Sequence, residues 1–341
     1  MNEPWLILRN SENVGTMVDM LGKLYSKQAT FGVAIVTYCS DAVIERCVRS
    51  ITFPAEIVVI DNGGSPYVAE VLERVPQVPG RTVRYLANPV NVGFAQAANQ
   101  AVGLLSGGAE WLLLLNPDVE LAKDIDEIVA EMAEMAGAAH AVVVAGRLTA
   151  SNGTAPNAKP LPGLLFELCR AVAGTSATLG LFSFFSHTRC SSPCDFRVVP
   201  QLDGAFMLMR KETFERLQGF DERFELYFED ADFCRRVRHT GGCLLATRVV
   251  GMHHAGHAAR QARDDALAAF GVSRIRYLRK WWPLLGAPTA AACAILEFIS
   301  RSLSARPEGR HARRRALRAQ LMELLAPGSQ TVLAKQSLST R

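Results

Sequence analysis

Phe31-Gly-Val-Ala-Ile-Val-Thr-Tyr38, followed after two residues by Asp41-Ala-Val-Ile-Glu-Arg-Cys-Val-Arg-Ser-Ile51, spells a strand and then a helix. The first run is rich in β-branched residues and free of charge, the pattern of a strand buried on both faces. In the second, apolar residues at 43, 44, 47, 48 and 51 share one helical face. The alternation continues outward from there. Glu56–Asp61 is a second buried strand ending in an acid, Thr82–Leu86 a weaker third, Gly93–Leu105 a helix and Trp111–Leu115 a fourth strand. Strands alternating with helices predict an α/β fold, a Rossmann-like open sheet with right-handed crossovers. Such sheets bind ligands at the carboxyl ends of their strands. Polar residues stand at those ends here: Thr37 and Tyr38, Asp61 and Asn62, Asn116 and Asp118. No strand is followed by G-x-G-x-x-G, which argues against a dinucleotide oxidoreductase.

The chain has 341 residues, 49% hydrophobic and 21% charged, with 16 Pro and 26 Gly. One α/β domain of roughly 250 residues plus terminal extensions fits that size, and disorder, collagen and coiled coil are excluded. The eight Cys include no C-x-x-C pair, so no zinc ribbon or thioredoxin-type site is expected. The first residues lack a basic stretch, apolar run and cleavage site, so a cytoplasmic location with reduced thiols is expected. Residues 301–341 carry nine Lys/Arg and two Asp/Glu, a net of +7, against −3 for the rest of the chain. A basic tail suits anionic lipid, nucleic acid or an acidic partner, or is a solvated helix face. With an acidic body and no recognition motif, no nucleic-acid partner is expected. Trp281–Leu296 is a run of sixteen uncharged residues interrupted by Pro283 and Pro288. It is too short and broken to span a bilayer. Two readings stay open for it, a segment lying among headgroups and a helix packed on the main domain.

Residues 151–200 are rich in Ser, Gly, Pro and Ala, with an apolar patch at 179–185, and suggest a lid over the site. Beyond it, Gln201–Arg210 is expected as a strand, Lys211–Leu217 as a short helix and Glu229–His239 as a helix with an acidic start. That acidity is partly accounted for by the helix dipole alone.

Three constellations carry chemistry. In Asn116-Pro117-Asp118, Pro117 ends the strand and Asp118 is delivered into the crevice, where a carboxylate can bind a divalent cation and the cation a diphosphate. In Tyr227-Phe-Glu-Asp-Ala-Asp-Phe233, three carboxylates crowd four positions, and mutual repulsion with burial would make one a usable base. In His253-His-Ala-Gly-His257, the glutamate of an H-E-x-x-H zinc protease is replaced by His254, so an imidazole ligand to the cation of Asp118 is better motivated. Zinc at Cys190 and Cys194, four apart near His187, is disfavoured.

These pieces resemble an inverting glycosyltransferase of family 2 with the GT-A fold, and most of all its rhamnosyltransferase-like branch. The matching segments are VTYCSDAVIERCVRSI (36–51), IVVIDNGGS (57–65), NPVNVGFAQAANQAV (88–102), LLLLNPDVEL (112–121), LDGAFMLMRKETFERLQGFDERFELYFEDADFCRRVRHTGG (202–242) and HHAGH (253–257), in the family's order.

The resemblance implies a mixed, mostly parallel sheet flanked by helices with a helical C-terminal extension. It also implies roles for the matching residues. Thr37, Tyr38, Asp61, Asn62, Asn91, Gly93, Asn99 and Asn116 would bind the nucleotide-sugar. Asp118 would hold a divalent cation, Mg²⁺ or Mn²⁺, with His253 as partner and His254 in reserve. Asp230, beside Glu229, would be the general base, and Asp203, Gly204 and Asp232 would frame the acceptor side. Two departures stand out: the family's D-x-D is N-P-D here, and Gly63-Gly64-Ser65-Pro66 lacks the second acid that usually follows the first.

The implied organisation is an N-terminal extension (1–30), a GT-A domain (31–275, with a nucleotide-sugar half at 31–150 and an acceptor half at 195–275) and a basic helical extension (276–341). The implied activity is transfer of a sugar, L-rhamnose from dTDP-L-rhamnose as the leading choice, to a lipid-linked saccharide in bacterial surface polysaccharide synthesis. Peripheral contact with the inner membrane would run through 281–318. Another donor sugar, and a degenerate transferase serving as a scaffold subunit, are the alternatives; a nucleotidyltransferase would want a Gly-rich, basic N-terminal signature that VTYCSDAV does not supply.

Overall fold

In the computed structural model the described residues are 30–138, 142–150, 153–154, 158–174, 178, 188–189, 196–254, 263–303 and 310–328. The extension at 1–29, the apolar patch at 179–185, Cys190, Cys194 and His257 lie outside them. The uncharged run Phe31–Thr37 forms β1, buried from Gly32 onward because strands pair along both of its edges and helices cover its faces. Helix α1 (Asp41–Arg49) buries Val43, Ile44, Cys47 and Val48, the face its spacing predicts. Strand β2 (Ala55–Asp61), helix α2 (Pro66–Glu73) and strand β3 (Thr82–Ala87) follow, β3 being a half-exposed edge. Helix α3 (Phe94–Leu104) presents Ala95, Ala97, Ala98 and Ala101 to β1 and β2. Side chains this small let helix and sheet approach closely.

Strands β4 (Trp111–Leu115) and β5 (Val119–Leu121) flank the Asn-Pro-Asp turn, and α4 (Ile125–Ala138) leads to β6 (Val142–Ala150). Short strands β7 (Gly153–Thr154) and β8 (Ala158–Lys159) precede α5 (Leu164–Ala173) and β9 (Thr188–Arg189). Strand β10 (Phe196–Val199) follows. The expected strand at 201–210 is split into β11 (Gln201–Leu202) and β12 (Phe206–Arg210). The break frees Asp203 and Gly204 from the ladder. Helices α6 (Lys211–Arg216) and α7 (Glu229–Val237) then lead to β13 (Gly242–His253). Helices α8 (Arg263–Trp281), α9 (Gly286–Leu303) and α10 (Arg310–Leu325) make the helical C-terminal region.

The main sheet runs β3-β2-β1-β4-β12-β6-β13-β10-β9. The ladders β3-β2-β1-β4 and β6-β13 are parallel, while β12 is antiparallel to both β4 and β6. The sheet is therefore mixed, its longest ladders parallel. Strand β12, from the acceptor half, lies between β4 and β6, so the halves at 31–150 and 195–275 share one sheet. The boundary expected at 275/276 falls inside α8, which packs on α9 and α10. No helix among the described residues is long and apolar enough to cross a membrane.

Candidate active site

The ends of β1, β2 and β4 deliver Tyr38, Asn62 and Asn116 to one edge of the sheet, because the register sets Thr37 beside Asp61 and Ile35 beside Leu115. These three side chains, with Asn91, Asp118, His253, Asp203, Gly204, Glu229 and Asp230, line a cavity of about 490 Å³. Its far wall comes from α5 and α8, with Phe166, Arg170 and Phe270.

Asp118 and His253 meet through strand pairing. Strand β5 runs antiparallel to the end of β13 with Val119 opposite His253, and the backbone N–H of His254 donates to the Asp118 carbonyl at 2.8 Å. His253 Nε2 then lies 3.1 Å from Asp118 Oδ1. Burial opposes a charge on His253, but the hydrogen bond and charge of Asp118 outweigh it and raise its pKa. His254 points instead to Glu120, Nε2 to Oε2 at 3.1 Å, so of the two histidines it is His253 that faces Asp118.

Opposite this pair sits an acidic cluster. Tyr227 and Phe228 both hold positive φ, 68° and 69°, an uncommon backbone for bulky residues that turns the chain sharply into α7. Glu229 and Asp230 thereby open the helix at the cavity wall. Burial, then the charge of Asp203, pushes the Asp230 carboxyl up to about 6. Burial, then Asp230, holds Glu229 well above the usual carboxylate range, and its Oε2 has no hydrogen-bond partner among the described residues. The Ala231 N–H donates to Asp230 Oδ1 at 2.7 Å.

Over residues 32–218, more than half of its length, the chain matches the pattern of glycosyl transferase family 2. It belongs to that family. Among its relatives, the N-acetylglucosaminyl-diphospho-decaprenol L-rhamnosyltransferase of Mycobacterium tuberculosis is 26% identical over 271 residues, 73% of this chain and 85% of the relative. Rhamnosyltransferase WbbL of Escherichia coli K12 is 24% identical over 258 residues, 73% of this chain and 92% of the relative. The low-salt glycan biosynthesis hexosyltransferase Agl10 of Haloferax volcanii is 25% identical over 212 residues, 60% of this chain and 61% of the relative. The protein is thus a glycosyltransferase, similar to rhamnosyltransferases, with a mixed α/β body.

Not every residue singled out from the sequence of this glycosyltransferase reaches the cavity. Thr37 is fully buried beneath it. Asp61 holds the turn that follows it: its carboxylate accepts from the N–H groups of Gly63 (2.7 Å) and Ser65 (2.8 Å) and from the Tyr85 hydroxyl (3.1 Å). Burial raises its pKa. Asn99 clamps the Gly219–Glu222 turn, donating to the Phe220 carbonyl (2.9 Å) and to Glu222 (3.0 Å) and accepting from the Phe220 N–H (2.9 Å). Gly93 has φ 92°, and a Cβ there would stand 2.8 Å from the Glu225 carbonyl oxygen; its own carbonyl accepts from Asn62 Nδ2 at 3.0 Å. Asp232, expected on the acceptor side, instead faces Lys280, Trp281 and Arg236.

Sequence reasoning missed Lys159. Its Nζ lies 2.6 Å from Asp203 Oδ2, in the same cavity as Asp230. Burial works against its charge, but Asp203, Asp230 and Glu229 more than compensate and raise its pKa. Lys159 sits in a segment without a periodic pattern, and only the pairing of β8 with β11, Lys159 opposite Gln201, brings it to Asp203. Its signal in the sequence was no more than a lone cation in an otherwise Pro- and Ala-rich stretch.

Proposed function

We propose that this glycosyltransferase moves L-rhamnose from dTDP-L-rhamnose, with inversion, to a saccharide carried on a lipid diphosphate, in bacterial surface polysaccharide synthesis. The donor and acceptor classes are supported by the rhamnosyltransferases it is similar to, one of which is named for a diphospho-decaprenol acceptor. The observation that carries the mechanism is Asp230, a carboxylate with a raised pKa in the cavity that also holds the Asp118–His253 pair. Residues 31–150 serve the donor and 195–275 the acceptor, and the protein works at the inner face of the membrane.

Asp118 and His253 would hold a divalent cation, Mg²⁺ or Mn²⁺. One carboxylate and one imidazole suit a cation shared with substrate phosphates, since no group of three ligating side chains exists among the described residues to make an all-protein cage. Bound there, the cation would supply Lewis-acid stabilisation to the departing diphosphate. Tyr38, Asn62, Asn91 and Asn116 face the nucleotide-sugar. Asp230 accepts the acceptor hydroxyl proton as that oxygen attacks the anomeric carbon from the face opposite the nucleotide. The C–O bond to the diphosphate breaks, and no sugar–enzyme bond forms. Glu229, held protonated further up the pH scale, leaves Asp230 as the group that ionises near neutrality. Lys159, anchored by Asp203, favours the ionised form of Asp230.

Thermal shift with dTDP-, UDP- and GDP-sugars, each with Mg²⁺, Mn²⁺ or EDTA, tests the site. A ligand at 100 times its Kd stabilises by about 2.7 kcal/mol. A metal-dependent shift with dTDP-rhamnose that disappears in Asp118→Ala is expected, followed by transfer of rhamnose to a lipid-diphosphate acceptor. A folded protein that responds to no nucleotide-sugar would sink the proposal and favour a scaffold role. A response to UDP- or GDP-sugars alone would replace the donor.

A further inference from the structure

Helix α5 has two different faces. Phe166, Glu167 and Arg170 line the cavity, while Leu165 and Val172, one heptad apart, are 65% and 63% exposed. Helix α9 packs beside α5 and continues the apolar exterior. Leu284 and Leu285, in the turn before α9, are 89% and 59% exposed, and Ile295 and Ile299 project from the helix itself. The one acid of α9, Glu297, is turned inward onto the fully buried Arg274, with its Oε1 2.6 Å from Nη1. The outer side of the helix carries no negative charge. The Trp281–Trp282 pair, which opens the uncharged run, points inward: Trp281 Nε1 donates to Asp232 at 3.0 Å and Arg235 lies over the Trp282 ring at 4.4 Å. The exterior is left to aliphatic side chains and Phe298.

Helix α10 adds charge to the same helical region. Arg314, Arg318, Leu321 and Leu325 are all exposed, and their spacing of four, three and four residues sets them on one stripe. A stripe that is basic at one end and apolar at the other suits the boundary between anionic headgroups and acyl chains. Helices with this apolar exterior, none of them among the described residues long and apolar enough to cross a membrane, would lie on a bilayer rather than span it.

We infer that the outer faces of α5, α9 and α10, with the Leu284–Leu285 turn at their edge, form a docking surface for an anionic bilayer, which places the α5 wall of the cavity against the membrane. This deepens the proposed function, because a lipid-linked acceptor held in that bilayer would enter past α5 with its saccharide toward Asp230. The occupant is a lipid surface rather than a second copy of the chain because arginines share the apolar stripe of α10: like charges brought face to face in a dimer would repel, whereas anionic headgroups attract them.

Co-sedimentation of the full-length protein with phosphatidylglycerol/phosphatidylcholine vesicles, and with phosphatidylcholine alone, tests the surface. The wild type should bind the anionic vesicles and release as salt is raised. The exposed double variant Leu284→Glu/Leu285→Glu should bind at least about tenfold more weakly, since buried apolar area sets interfacial affinity. Arg314→Gln/Arg318→Gln should flatten the salt dependence. Both variants should keep the wild-type thermal shift with donor, which reports the site without any membrane. Failure of the wild type to bind, or equal binding by the leucine variant, overturns the surface while leaving the transferase proposal standing. A leucine variant that changes a dimer to a monomer in sedimentation velocity, with vesicle binding unaltered, also overturns it and assigns the face to self-association. Vesicle binding by a protein that no nucleotide-sugar stabilises would keep the surface and sink the transferase proposal instead.

Discussion

Asp230 and Asp232 stand two residues apart on α7 and face opposite ways. Two residues advance a helix by about 200°, so when Asp230 opens into the cavity, Asp232 must turn to the packed side. There it is 0% exposed, 2.6 Å from Lys280 Nζ and 2.9 Å from Arg236 Nε. One acidic cluster thus carries the chemistry on one side and fastens the C-terminal helices on the other.

Asp230→Asn should lower kcat by about 10²–10⁴-fold, the usual contribution of a general base. The donor-induced thermal shift should persist. The same variant should melt higher than the wild type in alkaline buffer. The folded-state pKa of Asp230 is raised to about 6, so folding favours its neutral form. Its contribution to stability is complete below the unfolded carboxylate pKa and is lost as pH rises through about 6. The melting gain of Asn over Asp should therefore grow across that window. Unchanged turnover would remove Asp230 from the base role.

Asp232→Asn should leave the cavity groups intact but weaken the fold. Removing one partner of a buried ion pair typically costs 3–5 kcal/mol, and about 3 kcal/mol is expected here because Lys280 and Arg236 reach solvent. Urea unfolding measures it. A variant as stable as the wild type but with turnover as low as that of Asp230→Asn would return Asp232 to the acceptor site.

Lys159→Met should raise the pKa on the acid limb of the kcat–pH profile above the wild-type value. The ammonium lowers the Asp230 pKa, so without it Asp230 ionises only at higher pH. A purely structural role for Lys159 would reduce the amount of folded enzyme and leave the profile where it was.

Gly93→Ala should destabilise the protein by about 2 kcal/mol, combining a strained positive φ with displacement of the Glu225 carbonyl. Because Asn62 Nδ2 donates to the Gly93 carbonyl, weaker donor binding should accompany the loss. An Ala variant with wild-type unfolding midpoint and donor response would show that the 225 segment yields freely.

Much of this was legible in residue order alone. Short apolar runs such as Val33–Val36, Ile57–Ile60 and Leu112–Leu115, each ending at polar residues, read as buried strands, so β1, β2 and β4 and the polar residues at their ends could be read directly. Asn62, Asn116 and Asp118 were found that way, Asp230 from the acidic start of its helix and the family resemblance, and all four share one cavity. Sequence pattern failed where a side chain's direction depends on distant partners. Asp61 and Asn99 carry polar groups at the expected places, yet loop N–H groups and the Gly219–Glu222 turn occupy them. The strand expected across Asp203 and Gly204 is broken, and the paired tryptophans turn inward because Asp232 and Arg235 supply a hydrogen-bond acceptor and a cation for their rings.

The amino-acid sequence by itself determined the α/β alternation, the family and the identity of the acids, because periodicity and motif order are local properties of the chain. Only the tertiary structure decided which carboxylates share the cavity, that His253 rather than His254 meets Asp118, and that Lys159 joins Asp203 and Asp230. Those outcomes depend on the registers of β5 with β13 and of β8 with β11, pairings between segments far apart in the chain, in which a slip of one residue would turn each side chain to the opposite face.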